Sequence, residues 1–155
     1  MGKKKEPRKL KTLPKRITVE FLKELGACHS EITGFEQLFP RGAVVNYANI
    51  LKALRANLTV YFILEEYVKF FGFVTDKQWA SYDRTIHRFD NEKDNLVQMA
   101  YTRCEKHKDI RKRTEEVEKI IDRWRVKEAK LSARLWRLAK PKVWVFDEED
   151  GYEEE

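Results

Sequence analysis

The stretch whose reading decides the fold is residues 76–140, DKQWASYDRTIHRFDNEKDNLVQMAYTRCEKHKDIRKRTEEVEKIIDRWRVKEAKLSARLWRLAK. It runs for 65 residues without a glycine or a proline, the two residues that most readily interrupt a helix. A heptad frame beginning at Trp79 puts Trp79, Ile86, Lys93, Ala100, His107, Thr114, Ile121, Glu128 and Leu135 in one class. Three residues on come Tyr82, Phe89, Leu96, Arg103, Ile110, Val117, Trp124, Leu131 and Leu138. Thirteen of these eighteen positions are apolar, against eleven of the remaining 47. A stripe that holds one register for nine heptads is the signature of an amphipathic helix with a coiled-coil-like seam. Thr75 with Gln78 three residues later is a capping box at its start. The pattern predicts one long helix over 76–140, straight or mildly kinked, on the order of 95 Å if straight. A folded-back hairpin is the alternative, because the seam turns polar between Arg103 and His107, although RCEKHKD holds no strong breaker.

Working outward, residues 17–73 read as a small helical bundle. Thr18 can cap a first helix that buries Phe21, Leu22 and Leu25, and Gly26 can end it. Cys28, Ile32, Phe35 and Phe39 recur at helical spacing before Pro40 and Gly42. A third helix follows Asn46, with Tyr47, Ile50, Leu51 and Leu54 inward. A fourth, YFILEEYVKFF, is apolar over much of its circumference and belongs at the centre of the core. The expected fold is therefore all-α: a small N-terminal bundle, a long amphipathic helix, and charged tails.

Charge is laid out in blocks. Residues 1–16 carry eight Lys/Arg and one Glu and read as a flexible basic tail. Residues 17–102 hold nine bases and eleven acids, and residues 103–140 hold fourteen bases and seven acids. Residues 141–155 contain a short apolar run, KVWVF, and then DEEDGYEEE, with seven acids and no base. Two cysteines 76 residues apart make no disulfide framework. No apolar run approaches the roughly 20 residues a membrane helix needs, and MGKKKEPRK lacks the apolar core of a signal peptide. A soluble, cytoplasmic protein is the expectation, with no membrane partner.

Few residues suggest chemistry. Cys28 and His29 are neighbours, and neighbours on a helix diverge by about 100°. Cys28 reads as a small apolar residue of the helix wall. Cys104 and His107 share a face, but one short-spaced ligand pair does not make a zinc site. Asp90, Glu92 and Asp94 alternate as calcium ligands do, without the glycine and distal Glu of such a loop. There is no phosphate loop and no nucleophile elbow. The expectation is a non-enzymatic protein with no catalytic residue, metal, cofactor or small-molecule substrate.

What remains is interaction. The stripe outruns the bundle, so Ile110, Val117, Ile121, Trp124, Leu131, Leu135 and Leu138 are the expected seam for a second copy or another protein. The alternative is nucleic acid, held by Lys108, Arg111, Lys112, Arg113, Arg123, Lys127, Lys130, Arg134 and Arg137, with Trp124 and Trp136 interleaved and the N-terminal lysines assisting. Against both stands a merely solvated face, since Glu115, Glu116, Glu118, Asp122 and Glu128 are interspersed.

The segment LGACHSEITGFEQLFPRGAVVNYANILKAL, residues 25–54, resembles one found in uncharacterised phage and prophage proteins. The matching residues are Gly26, Ala27, Cys28, Phe35, Phe39, Pro40, Gly42, Asn49 and Ala53. WASYDR at residues 79–84 is similar to a tract that follows in such proteins, where it usually repeats; here it stands once. The resemblance implies a phage-type accessory protein and assigns no activity or functional residue.

Overall fold

The computed structural model describes residues 13–105 and 110–140. The fold is all-α except for one short ribbon, in which β1 (Arg16–Ile17) pairs antiparallel with β2 (Ala43–Val44). The bundle comprises α1 (Val19–Leu25), α2 (His29–Leu38), α3 (Tyr47–Arg55) and α4 (Val60–Ile63), the last continuing into a π-helical segment, Leu64–Lys69. Two long helices follow, α5 (Asp76–Glu105) and α6 (Ile110–Leu138).

Local chemistry places the ends of these helices. Thr18 Oγ1 accepts from the Phe21 amide at 3.1 Å, and Gly26 closes α1 in the left-handed conformation. Asn46 Oδ1 accepts from the Asn49 amide at 2.8 Å and starts α3. The capping box of α5 is complete. The Gln78 amide donates to Thr75 Oγ1 at 3.0 Å, and the Thr75 amide donates to Gln78 Oε1 at 2.8 Å. Gly42 sits at φ +82°, and a Cβ there would lie 2.7 Å from the Ile17 carbonyl oxygen. Only glycine lets β2 approach β1 at this turn.

Three sequence expectations change. The basic tail does not extend to residue 16, because Arg16 is already in β1; residues 1–12 lie outside the described residues. The segment YFILEEYVKFF is not one α-helix. The Phe70 amide bonds to the Glu65 carbonyl and the Phe73 amide to Val68, five residues back in each case. That wider winding buries Leu64, Tyr67 and Val68 together at the centre of the core and leaves Phe70 outside, 74% exposed.

The largest change concerns residues 76–140, which form the hairpin named above as the alternative and not one helix. Contacts between the arms run in opposite order: Tyr82 meets Ser132, Lys127 sits over Phe89, and Arg103 pairs with Glu116. The cause is the apolar face of α6, which a straight helix would leave in water. Reversal near the polar part of the seam lets α5 cover it, through Ala100, Val117, Ile120 and Trp124. A second flank of α6, Ala129 and Ala133, receives Ile50, Leu51 and Leu54 of α3. Leu135 and Ala139 enter the main core, and the Lys140 amide bonds to the Phe73 carbonyl at 2.8 Å. Two polar pairs form at the crossing. Tyr82 Oη and Ser132 Oγ lie 2.9 Å apart, and Tyr61 Oη donates to Asp83 Oδ1 at 2.6 Å.

Candidate nucleic-acid interface

With two flanks of α6 covered, one remains open, and its composition follows from helical geometry. Lys119, Arg123, Lys127, Lys130, Arg134 and Arg137 are spaced 4, 4, 3, 4 and 3 residues apart and all are exposed. At 100° per residue they fall within an arc of roughly 80°, a row about 27 Å long. No acid shares that arc between Lys119 and Arg137.

Three acids of α6 are engaged away from the row. Asp122 accepts two bonds from Arg55 of α3, at 2.8 and 2.9 Å. That hydrogen bonding, more than burial opposes it, holds the Asp122 carboxyl below the ordinary carboxylate range. Glu118 and Asp122 also hold Arg125, at 3.1 and 3.8 Å, and Arg125 donates to Asn57 Oδ1 at 3.3 Å. Glu116 pairs with Arg103 across the hairpin. Such pairs contribute little stability at a surface. Their consequence here is that among the described residues none of the six bases in the row has a carboxylate partner. Two of them are braced from below, with Lys127 Nζ 4.2 Å and the Arg123 guanidinium 6.0 Å from the Trp124 ring centre.

The expected phosphate contacts therefore divide. Arg123, Lys127, Lys130, Arg134 and Arg137 share one face, and Lys119 joins them. Arg111 and Lys112 are exposed at the far end of α6. Arg113 turns towards α5 and lies 5.2 Å over Tyr101. Lys108 lies outside the described residues. The tryptophans do not interleave with the bases on the outer face: Trp124 is buried, and Trp136 is half-buried beside a small apolar cavity of about 80 Å³. Glu31, at that cavity, is bound to the Thr59 amide at 2.9 Å.

The expected partner seam also has a location. Val117, Trp124 and Leu135 are buried, Ile121 and Leu131 are half-buried, and Leu138 is 42% exposed. The first five contact α5 or the bundle core. The side chain of Ile110 lies outside the described residues. Most of the stripe that called for a partner is closed by the chain itself.

Cys28 is not part of a buried stripe. It is the exposed N-cap of α2, in extended conformation, with its sulfur 3.3 Å from Ser30 Oγ. That hydrogen bond is the main reason its thiol titrates below its ordinary value. Among the described residues no three His, Cys, Asp or Glu side chains gather as metal ligands, and no helix is long and apolar enough to cross a membrane.

Behind the row, Glu128 faces a groove between the α3–α4 turn and the hairpin, with Asp90, Lys93 and Tyr61 around it. Burial raises its pKa first, the Asp90 charge raises it further, and Lys93 opposes them. A raised acid binds its proton more tightly in the folded state, so its contribution is complete below the ordinary value of 4.5 and is lost as pH rises through the shifted value. Glu128→Gln is therefore expected to raise the thermal midpoint at pH 7, with the gain shrinking as pH falls towards 4.5 and gone below it. Thermal unfolding of both proteins across pH checks this; equal midpoints at pH 7 contradict it. Comparison of the chain with protein-family models, curated proteins and solved structures finds no match.

Proposed function

We propose that this chain is a non-enzymatic interaction protein whose partner is nucleic acid, met along the outer face of α6. The observation that carries the proposal is the row from Lys119 to Arg137, six exposed bases with no carboxylate in their arc. A solvated face built only for solubility has no need to exclude acids, and mixed charges serve that purpose better. A rigid row of one sign suits a polyanion, because each phosphate neutralised releases a counterion. The same row does not require the seam to open, so the proposal needs no disruption of the hairpin. A phage-type accessory role, as the resemblance implies, and a cytoplasmic setting belong to the same proposal.

The test is a titration of fluorescently labelled duplex DNA with the full-length protein across a salt series. Six phosphate contacts predict a logarithmic salt slope of about 5 and dissociation constants in the micromolar range or tighter at low salt. Absent binding at 50 mM salt, or binding that salt leaves unchanged, overturns the proposal.

A further inference from the structure

The row on α6 does not stand proud of its neighbours. α5 packs on α6 at Val117, Ile120 and Trp124, and α3 packs on it at Ala129 and Ala133. At 100° per residue these two contact flanks lie roughly 100° to either side of the centre of the row. Both flanks are long. Along α3, Arg55 meets Asp122, and Ile50, Leu51 and Leu54 meet Ala129 and Ala133. Along α5, the contacts run from Arg103 beside Glu116 to Tyr82 beside Ser132. Over its middle turns α6 is therefore the central member of a layer of three helices. Packed helix axes stand about 8–10 Å apart, so the layer presents a face roughly 25–30 Å across.

That width decides how a duplex is met. The major groove is about 12 Å wide and admits one α-helix, itself about 10–12 Å in diameter. It does not admit three side by side, and the minor groove is narrower still. The side chains agree with the shape. Between Lys119 and Arg137 the arc holds only Lys and Arg, with none of the Asn or Gln amides that pair with adenine edges. Two of the six bases are also drawn down onto the helix, since Lys127 and Arg123 lie over the Trp124 ring, which shortens their reach.

We infer that α6 meets a duplex from outside, along its phosphates, and binds it without regard to base sequence. This rests on the nucleic-acid reading and narrows it. The ligand is the sugar-phosphate backbone of any duplex, and base edges add nothing to the affinity.

Two readouts on the full-length protein test this. The first is selection from a random-sequence duplex library at 50 mM salt, followed by titration of single duplexes. No motif should emerge, and selected and unselected duplexes should bind within about threefold of each other. A selected motif that binds tenfold or more tightly than its scrambled version overturns the inference and leaves the nucleic-acid reading standing. The second readout is a duplex in which 7-deazaguanine and 7-deazaadenine replace the purines, which removes the N7 acceptors of the major groove. Its affinity should match that of the natural duplex within about twofold, with the same salt slope. A tenfold loss overturns the inference. Failure of every duplex to bind at 50 mM salt overturns the nucleic-acid reading and this inference with it.

Discussion

Replacing Arg123, Lys127, Lys130 and Arg134 together by glutamine is expected to weaken duplex binding about 10³-fold at low salt and to lower the logarithmic salt slope by 3 to 4. The size follows from four lost phosphate contacts, each worth about 0.9 in the slope. Stability should barely change. These side chains are exposed and hold no ion pair among the described residues, and surface substitutions away from special features usually stay within about 0.5 kcal/mol. Lys127 is the one to watch, since it lies over both Trp124 and Phe89. A matched variant with Lys23, Lys52, Lys69 and Lys77 changed to glutamine loses the same formal charge from other elements. It should keep most of the slope. Equal losses in the two variants would mean that net charge, and not the row, governs binding.

The second expectation concerns the seam. Trp124→Ala should cost about 3–5 kcal/mol of folding stability, and Leu138→Ala no more than about 0.5 kcal/mol. Both residues hold the same heptad position, two repeats apart. Trp124 is 7% exposed, sealed between α5 and α6, whereas Leu138 is 42% exposed. The indole Nε1 of Trp124 is buried without a hydrogen-bond partner among the described residues, so part of what is lost is offset by removing an unsatisfied donor. Burial of so large a ring still dominates. Urea unfolding of the two variants measures the difference. Were the stripe an intermolecular seam, both substitutions would change association and make the stability concentration-dependent. The hairpin predicts unfolding midpoints independent of protein concentration.

Much of this architecture was legible because the information is local. Thr18, Gly26, Asn46 and the pair Thr75 and Gln78 each act within four residues of chain, and each does what its type predicts. The central place of Leu64, Tyr67 and Val68 was legible from their apolar surroundings. The reversal of residues 76–140 was legible only as an alternative, from the polar break between Arg103 and His107, because a heptad stripe is the same whether a second copy or the chain's own return covers it. A second clue lay outside the heptad frame. Ala129 and Ala133, four apart, are small residues on a second flank, where α3 approaches closely. A helix with two apolar flanks is packed on two sides, which a simple coiled coil does not need.

The candidate interface was half legible for a similar reason. The density of Lys and Arg over residues 103–140 is plain. Whether the interspersed acids cancel it depends on where they point. Asp122 is drawn aside by Arg55, which lies 67 residues away in the chain, and no spacing rule within α6 contains that. Cys28 failed in the opposite sense. Its spacing from Ile32 fits a helical stripe, but an N-cap residue is extended, and that turns its side chain out of the stripe.

The most direct test of the central claim is lysine footprinting of the full-length protein with and without duplex DNA. An amine-reactive label is counted at each lysine by mass spectrometry. The account predicts that Lys119, Lys127 and Lys130 become protected while Lys77 and Lys93 of α5 remain as reactive as before. Protection of Lys3–Lys11 with the row left reactive, or no protection at any lysine, would contradict it.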